Sequence, residues 1–446
     1  MIRRLLTAWL LAAAALVATH ASQATAAANI ERVRSRGGIE AWLVREPSLP
    51  LLAINFSFLG GASQDPEQKP GVGYLVAALL DEGAGELDAK AFQQRIEDHA
   101  VQLRFSVTRD YFQGSIRLLR ERMKPSLDLL RLALSRPRFE ADAIERIRAQ
   151  VLSGLKRETT NPGRLAERTW WRAAFDGHPY GRPTNGTLES VPAIGVEDLR
   201  GYARRVLTRA SLKIAAVGDI DAATLGDMLD RTFGALPESG DLQPVPDRTM
   251  GGAGARIVVP LAVPQSVVQM GGVGVARSDP DFIAAYIVNH ILGGGSFTSR
   301  LYSEVREKRG LAYGVFSYLL SLRHSALFLA STQASAERTA EAIELMQSEI
   351  RRMVEHGPTT EELAKAKAYL KGSYALNFDT STKIASMLLQ IQLDELGIDY
   401  IDRRNGLIDA VTAADARRAA GRLAKGGLLV TVVGQPKGLT AKPSGD

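Results

Sequence analysis

Two stretches about 215 residues apart carry the same alternation of apolar and polar positions. Residues 51–58 (LLAINFSF) follow Pro50, and residues 266–275 (SVVQMGGVGV) follow Pro264 and Gln265. Both have the period-2 pattern of a half-buried strand. Each leads through an Asp-Pro turn, Asp65-Pro66 and Asp279-Pro280, into an apolar stretch that predicts a helix, 72–81 and 282–292. Further on, 140–155 and 360–374 are amphipathic at period 3.6, with acidic residues where a helix N-terminus favours them. Each copy closes on an apolar strand ending in Val-Gly, 212–218 and 428–434. A hairpin is predicted from 101–108 and 111–118 across Arg109-Asp110. Strands and helices interleave without strict βαβ order. The expected class is therefore α+β, duplicated, each half a mixed or antiparallel sheet covered by helices on one face.

Prolines and glycines crowd residues 237–255, which reads as the linker between the copies. The expected organisation is an export signal over 1–26, a first half over 27–236, the linker, and a second half over 256–446. The signal rests on Arg3 and Arg4, the apolar run 5–17, and the small residues Ala24 and Ala26 around Thr25. Thirteen apolar residues are too few to span a bilayer, so a cleaved signal and an exported, periplasmic chain are expected, with no later membrane span.

The 446 residues carry 55 Lys and Arg against 49 Asp and Glu, with no long basic block, which argues against a nucleic-acid partner. The absence of cysteine excludes disulfides, thiolate metal sites and thiol nucleophiles. His20, His99, His178, His290, His324 and His356 are scattered, no two at the i, i+3 or i+4 spacing that puts ligands on one helix face. His178 beside Pro179 and Tyr180 reads as a packed or capping residue. Trp170, Trp171 and Phe175 read as core or interface. Gly293, Gly294, Gly295 and Ser296 lack the Lys-Ser/Thr that would make a phosphate loop, and fit a helix C-cap and turn. By composition, Arg306 lies in a charged helix end, residues 304–310, and Tyr313 in a strand.

Residues 292–318 (LGGGSFTSRLYSEVREKRGLAYGVFSY) resemble the C-terminal-half signature of the pitrilysin/insulinase family, which includes the mitochondrial processing peptidase, and the small bacterial members most of all. A second match is Phe175-Asp-Gly-His-Pro-Tyr-Gly181, with Gly186 beyond, and the duplication fits too. The resemblance spans essentially the whole chain after the signal. It implies two similar halves clasped around a chamber, in which Arg306 and Tyr313 reach toward a zinc site and donate hydrogen bonds to substrate. It also implies that residues 293–296 face substrate.

Active members of that family bind zinc through H-x-x-E-H and a downstream glutamate. Laid on that pattern, the first His falls on Tyr74, the Glu on Ala77, the second His on Ala78, and the distal Glu on Ser153 or Gly154. The ligands and the general base are thus replaced together, and no metal or other cofactor is expected in this chain. The resemblance then implies a non-catalytic subunit of a heteromeric zinc peptidase. Its partner would be a homologous chain carrying H-x-x-E-H and the zinc, and its substrate a peptide or unfolded polypeptide. The alternative is a pseudoenzyme that binds peptide or has a structural role in assembly. An independent peptidase with a relocated metal site is disfavoured by the scattered histidines.

Overall fold

The computed structural model describes residues 29–441, so the expected signal lies outside the described residues. The first half has six strands: β1 (Ile30–Arg34), β2 (Glu40–Arg45), β3 (Leu51–Leu59), β4 (Gln102–Val107), β5 (Tyr111–Leu119) and β6 (Lys213–Gly218). The second has β7 (Arg256–Pro260), β8 (Gln265–Val273), β9 (Ala312–Leu322), β10 (Ser325–Ser335) and β11 (Leu429–Gly434). Their orders are β1-β2-β6-β3-β5-β4 and β7-β11-β8-β10-β9. Apart from β1 the two sheets have one topology. The pairs β2–β6 and β7–β11 are parallel and the other pairs antiparallel, so both sheets are mixed. The copies also share a register mark, because Gly218 and Gly434 end their strands at the same φ of 150°.

The helices of the first half are α1 (Val72–Leu79), α2 (Ala89–Asp98), α3 (Met123–Ser135), α4 (Ala141–Glu158), α5 (Pro162–Ala174), α6 (Val196–Val206) and α7 (Ala222–Phe233). Those of the second are α8 (Phe282–Asn289), α9 (Thr339–His356), α10 (Thr360–Gly372), α11 (Ser381–Leu393), α12 (Tyr400–Ala410) and α13 (Ala413–Ala420). None is long and apolar enough to cross a membrane. Side chains alternate along a strand, and one face of each sheet packs on its own half's helices. Phe56 and Phe58 of β3 meet α1, α3 and α7 there, as Val268 and Met270 of β8 meet α8 and α9.

The other face of each sheet is also covered, contrary to the one-face expectation, and the covering helix comes from the opposite half. Helix α5 lies on β11 and β8, while α11 lies on β6 and β3. Each helix is started by a side-chain cap, Asn161 accepting from Arg164 N at 3.0 Å and Thr380 from Lys383 N at 3.3 Å. Ala166, Trp170 and Ala174, four apart on α5, face the second half's Leu327, Leu329, Leu429 and Val433. Ile384, Ala385, Leu388 and Leu389 of α11 bury Trp42, Val44, Ala215 and Val217 of the first half. Each exchanged helix also donates a side-chain N–H to a strand carbonyl, Trp170 Nε1 to Leu429 at 3.1 Å and Gln392 Nε2 to Ile214 at 2.9 Å.

Residues 237–255 form no strand or helix but are held down. Gln64 donates to Gln243 O at 2.9 Å and accepts from Gln243 N at 2.7 Å, and Gly251 N donates to Ala174 O at 2.7 Å.

Leu388 is fully buried against the opposite half's sheet. Leu388→Ala should lower stability by about 2–5 kcal/mol, as buried Leu truncations do. Both halves should still unfold in one transition. Denaturant unfolding followed in parallel by tryptophan fluorescence and far-UV circular dichroism checks both expectations; separate transitions would show that the exchange does not couple the halves.

Candidate functional site

Helix α1 carries the positions where the resemblance places metal ligands. It opens on the carboxylate of Asp65, which accepts from Gly71 N at 2.7 Å and Gly73 N at 2.8 Å. Tyr74 points outward, 39% exposed, Ala77 is buried and Ala78 half-buried. The helix packs on α4, where Gly154 is half-buried and Ser153 Oγ accepts from Arg157 Nη1 at 2.7 Å. Ala77, Ala78 and Gly154 offer no electron pair to a cation, the Tyr74 phenol is exposed and Ser153 Oγ is engaged by Arg157, so this residue set does not fit a zinc ion. Among the described residues no group of three or more His, Asp or Glu is placed to hold a metal.

The matching helix of the second half, α8, behaves differently. The prediction of one helix over 282–292 is corrected: α-helix ends at Asn289 and the chain winds on as a π-helix, His290–Gly294. A second π-helical segment, Tyr302–Glu307, contains Arg306. Widened turns of this kind are common at functional sites. The first is packed closely on β9. A Cβ on Gly293 would stand 2.7 Å from Ser317 N, and one on Gly294 2.8 Å from Asn289 Nδ2. Asn289 and Ser317 are buried and bonded to each other, with Ser317 Oγ donating to Asn289 Oδ1 at 2.8 Å and Asn289 Nδ2 donating to Ser317 O at 3.3 Å. Gly293 is therefore a packing residue. Gly294 is exposed and Gly295 half-buried, and the chain turns outward at Ser296, which is exposed with φ of 49°. Phe297, which composition did not single out, is 69% exposed with its ring edge-on to Tyr302 at 4.9 Å.

The charged run 304–309 divides by function. Glu304 pairs with Lys308 and with Arg309, both at 2.6 Å, and the hydrogen bonds from Lys308 and then Arg309 hold its pKa below the usual carboxylate value. Arg306 turns away from this cluster. Its Nη1 donates to Tyr302 OH, and its guanidinium lies 4.8 Å from the Tyr302 ring centre and 4.5 Å from that of Tyr313. Arg306 is half-buried, while Tyr313 is 83% exposed. The structure thus brings Arg306 and Tyr313 into contact and adds Tyr302 to them.

Tyr313 lines a groove of about 760 Å³ whose walls come from both halves. Phe316 and Tyr318 of β9, stacked at 6.2 Å, and Gln269 of β8 form one wall; Glu167 and Trp171 of α5 form the other. Trp171 is held from behind by the Arg109 guanidinium, 3.3 Å from its ring centre, whose pKa burial draws down to about 10. The groove offers aromatic faces, amides and hydroxyl donors beside the edge strand of a sheet. These can hold an extended polypeptide and donate hydrogen bonds to it.

The second matched block belongs to a joint between the halves. Tyr180 OH donates to Asp110 Oδ1 and accepts from His324 N at 3.1 Å, while Arg323 N donates to Asp110 Oδ2 at 2.9 Å. Buried His178 accepts at Nδ1 from Tyr180 N at 3.1 Å, so Nε2 carries the proton and donates to Pro246 O at 2.9 Å. His178 is accordingly a structural residue.

Two family models match the chain: "Insulinase (Peptidase family M16)" over residues 45–188 and "Peptidase M16 inactive domain" over residues 193–370. The protein named Non-peptidase homolog YmxG of Helicobacter pylori is 27% identical over 335 residues, covering 74% of this chain and 77% of that one. A protein named as an uncharacterized zinc protease of Streptomyces coelicolor is 24% identical over 401 residues, covering 88% and 86%. The crystal structure of a peptidase M16 inactive domain from Pseudomonas fluorescens superposes with a TM-score of 0.85 at 28% identity, over 94% of this chain and 100% of that one. A protease from Helicobacter pylori shares the fold at a TM-score of 0.82 and 18% identity, over 91% and 99%.

Gly293→Ala should cost about 1–3 kcal/mol through overpacking against β9, read as a shift in the denaturation midpoint. A variant as stable as the parent would make Gly293 a free loop residue. The His178 joint has a pH signature. Burial lowers the folded-state pKa of His178, so the unfolded chain takes up the proton first as pH falls. Its stabilising contribution is complete above the ordinary histidine value of about 6.5 and is lost as pH falls through that value toward the lower folded one. The urea midpoint should therefore drop between about pH 7 and pH 5, and His178→Gln should reduce that drop. An identical pH dependence in the variant would remove His178 from the account.

Proposed function

This chain belongs to the insulinase (M16) peptidase family, and from a member in which the family's zinc motif is replaced, we propose a non-catalytic subunit of a heteromeric, exported zinc metallopeptidase. The observation that carries this reading is the contact of Arg306 with Tyr313 at the mouth of an aromatic groove, beside a first half that has no metal ligands at the motif positions. The partner would be a homologous chain with an intact H-x-x-E-H motif, which would hold the zinc. Arg306 and Tyr313 would reach the partner's site and donate hydrogen bonds to the oxygen on which charge develops as a peptide bond is broken. A guanidinium and a phenol suit that task because both present N–H or O–H donors that can be aimed. Residues 294–296 and the groove beside β9 would contact the peptide. The basic-apolar-small pattern of residues 1–26 supports export to the periplasm.

A second reading has its own support. Arg306 is already bonded to Tyr302 and stacked between two tyrosines, an arrangement that also suits a rigid peptide-binding surface. Under that reading the chain binds peptide or organises an assembly without touching the chemistry.

Kinetics of the reconstituted pair separate the two. If Arg306 acts in the transition state, Arg306→Ala should lower kcat by about 10²–10³, the loss of one oxyanion donor. KM should move far less, because ground-state contacts are spread along the groove. Tyr313→Phe should cost less, and the zinc content of the complex should stay constant. An unchanged kcat with normal assembly would favour the binding reading, and full activity of the partner alone would end the subunit proposal.

A further inference from the structure

The duplication provides an internal comparison between two equivalent corners, each lying between a parallel strand pair and the helix that follows the sheet's hairpin. In the first half, the corner of β2, β6 and α3 is closed by α7 and β1. Helix α7 turns Leu225, Leu229 and Phe233 into the core, four residues apart, and Phe233 meets Phe56 at 5.4 Å. Arg231 on α7 pairs with Asp128 on α3 at 2.6 Å, and Asp230 accepts from Gly37 N in the β1–β2 turn at 2.9 Å. Beneath this cover Ala41 and Leu43 of β2 are 0% and 1% exposed.

Counting back from Gly218 and Gly434 along the parallel pairs, Val258 stands where Leu43 stands, and Arg256 where Ala41 stands. Both are only half-buried. Among the described residues no helix follows β11 and no strand lies outside β7. Residues 435–441 run elsewhere: Lys437 N donates to Ala336 O at 2.9 Å, and Lys437 pairs with Glu337 at 3.1 Å. The second half is left with an open, mainly apolar cavity of about 420 Å³. Gln347, Ile350, Arg351 and Val354, a single face of α9, line it together with Leu428, Arg256 and Glu355, whose carboxylate lies 3.9 Å from His356 Nε2. Arg256 Nε is shielded from water and has no hydrogen-bond partner among the described residues. A shielded guanidinium N–H calls for an acceptor, and a carboxylate meets it best.

We propose that this corner docks an amphipathic helix of a partner polypeptide, patterned as α7 is, with apolar side chains at i, i+4 and i+8 and a carboxylate for Arg256. The same fold closes its other copy of the corner with such a helix, and that is what selects the occupant. The arginine at the position of Ala41 gives the second corner a charge requirement that the first lacks. The site is remote in kind from the groove beside β9 and does not depend on any role in peptide cleavage.

The absence of native cysteine makes a single reporter possible. Gln347→Cys, labelled with a polarity-sensitive dye on the full chain, is titrated with a synthetic peptide of residues 219–236, which contains α7 with Asp227 and Asp230 beside its apolar stripe. A control peptide carries Asp at positions 225 and 229. A saturable blue shift is expected with the first peptide and not with the control. Adding Val354→Glu or Arg256→Ala to the labelled chain should each weaken binding by about tenfold or more, as loss of a central contact does. Circular dichroism verifies that each variant is folded. No saturable shift, or equal shifts with both peptides, would overturn the proposal. A shift with palmitate but not with the helix would overturn it in favour of a small amphiphile.

Discussion

Neither sheet can bury its second face without the other half. Trp42, Val44, Ala215 and Val217 on one sheet, and Leu327, Leu329 and Leu429 on the other, form apolar patches that a free half would expose to water. The exchange of α5 and α11 covers both at once. Each exchanged helix adds a directional bond to the opposite sheet, from Trp170 and from Gln392. The halves are therefore joined through their cores, and the linker's hydrogen bonds to Gln64 and Ala174 follow from that closeness. The joint of Asp110, Tyr180 and the β9–β10 turn adds polar contacts at its margin.

The groove beside β9 is a consequence of the same exchange. Its aromatic wall includes Trp171, carried there by α5 and backed by Arg109, while Tyr313, Phe316 and Tyr318 come from the strand opposite. A groove built this way cannot open or reshape without disturbing the inter-half core. Next to it, the π-helical turns around Asn289–Ser317 and around Arg306 hold the glycine loop and the Arg306–Tyr313 contact against β9. Arg306, half-buried and bonded to Tyr302, is thus held in place, while exposed Tyr313 is held by its ring contact with Arg306 alone.

Duplication also shows one frame in two local forms. In the first copy the helix after the Asp-Pro turn, α1, is regular and carries Tyr74, Ala77 and Ala78. In the second, the corresponding α8 runs into a π-helix and a glycine loop, where β9 approaches too closely for a side chain at Gly293. The corner sealed by α7 in one copy is open in the other, with Arg256 in the place of a buried alanine.

Strands β3, β4, β5, β6, β8, β9 and β11 and helices α1, α4, α8 and α10 were legible in the chain itself, because burial writes a period of 2 or 3.6 into neighbouring residues; β1, β2, β7 and β10 were not. The replacement of the family's ligand residues by Tyr74, Ala77, Ala78 and Gly154 is likewise a matter of residue type alone. The exchanged helices were not legible. The periodicity of α11 says that one face is apolar, but not that the sheet it covers lies in the half it does not belong to. Nor could residue types show that Arg306 leaves its charged neighbours for Tyr302 and Tyr313, or that His178 is locked into a joint with Pro246. Local pattern determined which residues are buried and which atoms can donate. Contacts between residues far apart in the chain decided what they are buried against and where they donate, because those depend on the packing of two sheets that no single segment contains.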